Sequence, residues 1–183
     1  MKPLLRLDGV SCRRGGRLLF EDLDLKLGPG EALHLRGPNG SGKSSLIRLA
    51  AGLLGAEQGS VERSDLALAD DALALDGEMP LRGALRFWGG RVDEALDALG
   101  LTSLARVPVR FLSTGQAKRA TLARVVAADV PLWLLDEPLN GLDSDGAARL
   151  HGLVAGHLGR GGAVLAASHG QLGGSWTHME LSA

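Results

Sequence analysis

The chain has 183 residues, 45% hydrophobic and 22% charged, with a formal net charge of −1, which fits one ordinary domain able to bury a real core. The near-neutral balance argues against a polyanion binder, so no nucleic-acid partner is expected, and the single cysteine, Cys12, excludes an internal disulfide and fits a reducing compartment. No apolar run approaches the roughly 18–20 residues that cross a bilayer, and Met1-Lys2-Pro3-Leu4-Leu5-Arg6 meets charge too early for a signal peptide.

In chain order, Leu23, Leu25 and Leu27, then Ala32-Leu33-His34-Leu35, alternate as strands with one buried face do. A glycine-rich loop follows at Gly37–Gly42. The apolar pattern Leu46, Ile47, Leu49, Ala50, Leu53 then predicts a helix ending near Leu54, where Gly52 and Gly55 break it. Residues 59–69 read as short strands. From about 78 to 128 the chain reads as helical, with Leu81, Leu85 and Trp88 on one face and Val92, Ala95, Leu96 and Leu99 on another. Val130-Pro131-Leu132-Trp133-Leu134-Leu135 is a continuous apolar run ending in acids, which suits a parallel strand covered on both faces. A helix at about 144–158 and a second buried strand, Ala163–Ala167, complete an α/β pattern with a mainly parallel sheet, the helical middle being an insertion.

Gly37-Pro38-Asn39-Gly40-Ser41-Gly42-Lys43-Ser44 fits the P-loop pattern, between a predicted strand and a predicted helix. Small residues let backbone N–H groups converge on phosphate oxygens, and the helix N-terminus adds partial positive charge. Lys43 reaches the β- and γ-phosphates and the Ser44 hydroxyl ligates Mg²⁺; Ser45 completes the nucleotide-binding set. Of the 20 basic residues only Lys2, Lys26, Lys43 and Lys118 are lysines, which draws attention to the one in this loop. No Asn-Lys-x-Asp guanine motif occurs.

Downstream, the strand ending Leu134-Leu135-Asp136-Glu137 offers two carboxylates. Asp136 stands opposite Ser44 in P-loop logic and holds Mg²⁺ through water. Glu137 is placed to act on the attacking water as base or orienter. Leu112-Ser113-Thr114-Gly115-Gln116 precedes a predicted helix Ala117–Ala128, with Ser113 as a plausible N-cap and Gly115 allowing a phosphate close to the backbone.

The order P-loop, Leu-Ser-x-Gly-Gln, Asp-Glu-Pro, Leu139-Asn140-Gly141-Leu142-Asp143, then His169 resembles the nucleotide-binding domain of ATP-binding-cassette (ABC) ATPases over nearly the whole chain. The resemblance implies an α/β P-loop NTPase fold across residues 1–183, with a small antiparallel β subdomain and a short helical subdomain at about 78–128. It also implies a head-to-tail dimer with a second copy. ATP would lie between one chain's P-loop and the signature Leu112, Ser113, Thr114, Gly115 and Gln116 of the other. Glu137, His169 and Lys43 would be the catalytic set, and Asp143 the D-loop acid.

Two positions depart from that pattern. The family's adenine-stacking aromatic is missing from Val10-Ser11-Cys12-Arg13-Arg14-Gly15-Gly16-Arg17, and the chain has no Tyr, so Arg14 or Arg13 is the candidate to stack on the base. No glutamine lies between Gln58, which reads as a turn, and Gln116, so Asp70 or Asp71 is the candidate for the metal-sensing position.

Within the family, Cys12–Phe20, Leu85-Arg86-Phe87-Trp88, Pro131–Asp143 and His169-Gly170-Gln171-Leu172 resemble the ATP-binding subunits of the bacterial cytochrome c maturation system, the haem exporter ATPases. This implies an ATPase at the cytoplasmic face of the inner membrane, bound to a hydrophobic permease and working with haem-handling maturation proteins. Another transporter cassette, for a lipoprotein, metal or amino acid, is the alternative, followed by a soluble non-transport cassette. Leu81, Leu85, Phe87 and Trp88 combine core and partner-docking roles that the sequence does not separate. Cys12 reads as a small buried residue.

Overall fold

The computed structural model describes residues 2–170 and 172–181. Gln171, named above in the His-Gln ending, lies outside them. β1 (Leu5–Arg14) and β2 (Arg17–Leu27) form a hairpin in which Arg14 pairs with Arg17. Gly15 and Gly16 both have positive φ, as a two-residue primed turn requires. β4 (Gln58–Arg63) adds to the other edge of β1, giving a three-stranded antiparallel sheet in the order β2-β1-β4. Gln58 is thus the first residue of a strand rather than a turn, paired with Ser11.

The second sheet contains β3 (Ala32–Arg36), β5 (Leu66–Ala69), β6 (Leu132–Asp136), β7 (Ala163–Ala167) and β8 (Thr177–Glu180). Its order is β5-β6-β7-β3-β8 and every pairing is parallel. β6 and β7 are buried along their whole length, as their unbroken apolar sequence requires. β3 corrects the expectation of one buried face: Ala32 to Leu35 are all buried, because β3 is an inner strand flanked by β7 and β8. β6 begins at Leu132, so Val130 and Pro131 only lead into it.

Alternation along these strands feeds two cores. Leu132, Leu134, Leu165 and Leu35 face α1 (Lys43–Ala50) and the antiparallel sheet, joining Leu5, Leu7, Leu46 and Ile47. Trp133, Leu135, Val164 and Ala166 face the other way, onto Leu85, Leu96, Leu99, Ala123 and Leu150. Each fully buried leucine contributes about 1.5–3 kcal/mol. Between β5 and β6 the chain forms α2 (Leu81–Arg86), α3 (Val92–Ala98), two single 3₁₀ turns and α4 (Thr114–Ala128); α5 (Ser144–Gly159) precedes β7. Leu81 and Leu85 are fully buried, whereas Trp88 is 37% and Phe87 85% exposed, which separates core from surface in that set. Cys12 is buried. No helix among the described residues is long and apolar enough to cross a membrane.

Two helix boundaries differ from expectation. α1 stops at Ala50 rather than near Leu54, since Gly52 already takes φ +77°. α4 starts at Thr114 rather than Ala117, because Ser113 caps it, so Thr114-Gly115-Gln116 are its first turn.

Candidate active site

A parallel sheet delivers the carboxyl ends of its strands to one edge. The loop after β3 is the P-loop, β6 leads to Asp136 and Glu137, β7 to Ser168 and His169, and β5 to Asp70 and Asp71. Four distant sequence stretches therefore meet there.

The P-loop backbone depends on glycine. Gly37 has φ +139°, and a Cβ there would collide with the Leu181 carbonyl oxygen and lie 2.8 Å from Ser41 Oγ. Gly42, at φ +100°, precedes α1, and its Cβ would press on Leu19. Lys43 Nζ donates to the carbonyls of Gly37 (2.8 Å) and Pro38 (3.0 Å), so the ammonium is held within the loop. Ser41 Oγ is buried without a hydrogen-bond partner.

Lys43, Ser44, Ser45, Asn39, Gly40 and Gly42 line a cleft of about 570 Å³ together with Glu137, His169, Asn140, Arg14 and Leu19. Ser44 Oγ donates to Asp136 Oδ1 at 3.1 Å, as the spacing logic expects. Burial pushes the Asp136 carboxyl above its usual pKa, Ser44 opposes this, and the negative charges of Glu137 and Asp71 add to it. One hydroxyl and one buried carboxylate are hard oxygen donors suited to Mg²⁺, which takes few protein ligands and completes its shell with water and phosphate. The Ser44–Asp136 pair thus fits that ion.

Glu137 leaves β6 in the left-handed region, φ +46°, and its N–H donates to the Ala167 carbonyl at 2.8 Å. Its Oε2 accepts from the His169 backbone N–H at 3.3 Å, and its Oε1 lies 3.6 Å from His169 Nε2. Glu137 and His169 line the cleft with the P-loop, Glu137 as the strand-end pattern suggests and His169 as the family resemblance implies; Leu19 and Asn140 in the cleft wall are expected from neither.

The signature residues lie elsewhere. Ser113, Gly115 and Gln116 line a separate cleft of about 350 Å³ with Asp143, Gly141 and Arg119, and its lining shares no residue with the P-loop cleft. Ser113 and Gln116 form a capping box: Ser113 Oγ accepts from Gln116 N (3.3 Å) and Gln116 Oε1 accepts from Ser113 N (2.9 Å). Asp143 caps α5 through Gly146 N (2.8 Å) and accepts from Arg119 (2.5 Å), contacts that hold its carboxyl below the usual range. Leu112 and Thr114 flank this group; neither lines either cleft.

The two departures resolve unequally. Arg14 lines the P-loop cleft, whereas Arg13 is turned to Glu57 (3.5 Å) and the Gly16 carbonyl (3.3 Å). Asp70 accepts from Ala72 N (3.1 Å) within its own turn, and Asp71 lies 4.0 Å from Lys118 Nζ. Lys118 went unassigned in the sequence, although its rarity as a lysine was a signal. Its side chain is 10% exposed, and burial lowers its pKa while Asp71, Asp136, Asp70 and Glu137 pull it back. Arg124 was also missed: it donates to the Leu68 carbonyl (2.7 Å) and its guanidinium sits 4.5 Å over the Trp88 ring, tying the helical segment to β5.

Comparison with known proteins gives the family. The ABC transporter family matches residues 20–140. The cytochrome c biogenesis ATP-binding export protein of Sphingopyxis alaskensis is 56% identical over 177 residues, covering 92% of this chain and 91% of that protein. Its counterpart in Novosphingobium aromaticivorans is 56% identical over 164 residues, covering 87% and 85%. The solved ATP-binding subunit of an ABC transporter shares the fold, with TM-score 0.84 at 23% identity over 91% of this chain and 79% of its own. The chain therefore belongs to the ABC transporter ATP-binding proteins, among the cytochrome c biogenesis ATP-binding export proteins.

Proposed function

We propose that this ATPase powers haem export, or release of haem to a chaperone, in bacterial cytochrome c biogenesis, from the cytoplasmic face of the inner membrane. It works as a head-to-tail dimer docked on a hydrophobic permease and serving haem-handling maturation proteins. The observation that carries the dimer is the separation of the P-loop cleft from the signature cleft within one chain. Each chain holds complementary halves of two sites, which a second copy completes.

In this reading Gly37–Ser45 cradle the triphosphate, with Lys43 between the β- and γ-phosphates. Ser44 and Asp136 hold Mg²⁺, which offsets charge on those phosphates; Asp71, whose charge reaches Asp136, or Asp70 supports it from the metal-sensing position. Glu137 orients the attacking water and takes its proton as the oxygen bonds to the γ-phosphorus and the bond to the ADP oxygen breaks. His169 contacts the γ-phosphate from the same chain. Ser113 and Gly115 reach it from the partner copy, where Asp143 borders the same cleft. Arg14 stacks on the base beside Leu19. Residues 1–183 act as one ATPase domain, and the helical insertion at about 78–128 presents Phe87, Trp88, Met79 and Phe111 to the permease, all exposed.

Glu137→Gln tests the site: with ATP it should migrate as a stable dimer in size-exclusion chromatography and hydrolyse nothing, while the ADP-bound protein stays monomeric. The cellular role is tested by deletion, which should abolish c-type cytochromes and spare b-type ones. Normal c-type content in that strain would remove the haem reading.

A further inference from the structure

β3 buries one polar side chain among apolar neighbours, His34, between Leu33 and Leu35. It is 2% exposed. An imidazole buried there is unfavourable unless both nitrogens are satisfied, and they are. Nε2 lies 2.9 Å from the Ser168 carbonyl oxygen. Nδ1 faces Arg36 Nε at 3.4 Å. A guanidinium only donates, so Nδ1 is the acceptor and Nε2 carries the proton. Burial lowers the pKa of His34, which favours this neutral form.

The peptide on which His34 acts joins Ser168 to His169. Its carbonyl accepts from His34, and its N–H, that of His169, donates to Glu137 Oε2. Both ends of one resonant amide are therefore engaged. Drawing electron density toward the oxygen makes the N–H a better donor, and a planar peptide transmits orientation from one end to the other. Ser168 Oγ accepts from Gly170 N at 3.0 Å, fixing the turn beyond.

We propose that His34 is a positioning residue for ATP hydrolysis, holding the Ser168–His169 peptide so that its N–H fixes the Glu137 carboxylate and its chain presents His169 to the cleft. The inference rests on the assignment of Glu137 made above. His34 does not line the P-loop cleft. It acts from behind the sheet edge, through one amide.

The test is steady-state hydrolysis by the full chain, with ATP affinity and melting temperature measured alongside. His34→Val removes the donor and leaves a strand-compatible apolar residue; His34→Met is a second donorless variant should Val not fold. His34→Gln restores an N–H donor. Losing one such hydrogen bond should lower kcat roughly tenfold, with KM for ATP within about twofold, and Gln should recover much of the loss. Unchanged kcat in the folded donorless variant overturns the proposal. So does an equal loss in Gln, or a rise in KM matching the fall in kcat, which would mean β3 merely supports the P-loop. Glu137→Gln serves as the separate control: if it still turns over ATP, the Glu137 assignment fails whatever His34 does.

Discussion

Ser113 caps α4, and a short substitution series separates that role from the nucleotide contact proposed above. Its hydroxyl caps α4 by accepting from Gln116 N at 3.3 Å, while the reciprocal bond, from Ser113 N to Gln116 Oε1 at 2.9 Å, needs only the backbone. Ser113→Ala deletes the first bond and keeps the second. An N-cap changed to Ala costs about 1 kcal/mol, and one changed to Gly only a few tenths. At 3.3 Å the lost bond is longer than usual, which places Ala no higher than about 1 kcal/mol. For a chain of this length that lowers Tm by about 2–4 °C; Gly should lower it by less than half as much, and Asp, itself a good cap, should leave it unchanged. Turnover should sort differently. Ala and Gly both lack the hydroxyl proposed to reach the partner's γ-phosphate, so both should fall roughly tenfold. Asp sets a negative charge against the phosphate and should fall further at full stability. Differential scanning fluorimetry and phosphate release on the four proteins decide it. If Gly keeps normal turnover, or turnover follows Tm across the series, Ser113 is a cap and does not touch nucleotide.

Phe87→Ala should change Tm little, because the ring is 85% exposed, yet it should reduce co-purification with the membrane partner; Leu85→Ala, in the core, should lose about 2–5 kcal/mol in denaturant unfolding. Arg14→Ala should raise KM for ATP about two- to fivefold, the worth of an exposed cation–π contact, and the unaltered protein should hydrolyse GTP at a rate close to ATP; strong ATP preference would refute Arg14 as the stacking group. Burial lowers the pKa of His34 and His157 below 6.5, so the unfolded chain binds more protons than the folded one just under that pH. Stability should therefore be full above about pH 6.5 and fall with acidification, Asp136 acting weakly in the opposite sense; His157→Gln should flatten the melting-temperature slope between about pH 7 and 5.5.

The parts of the fold that were legible are those fixed by local chemistry. The uninterrupted Ala163–Ala167 run and the Gly37–Ser44 loop identify a buried strand and a phosphate cradle without any tertiary information. The start of α4 is hidden in the sequence because a capping box turns a motif that looks like a loop into the first helical turn. β8 is not legible in the sequence, since Thr-His-Met-Glu has no strand periodicity and becomes a strand only by pairing with β3. In the candidate site, the P-loop, Glu137 and His169 line one cleft, while Ser113, Gly115 and Gln116 line another. His34, Lys118 and Arg124 do not show in the sequence, because each acquires its meaning from a neighbour 47 to 134 positions away or from burial, and neither is written locally.

The left-handed backbone of Glu137 has a bearing on attempts to improve this protein. A non-glycine residue at φ +46° is disfavoured by about 1–2 kcal/mol, so Glu137→Gly should raise the melting temperature while removing the carboxylate. Selection for thermal survival or expression would tend to enrich that replacement and yield a sturdier subunit that, on the role proposed for Glu137, no longer hydrolyses ATP. A permease loaded with it would be occupied yet unpowered, so directed evolution on this scaffold needs turnover in the screen from the first round.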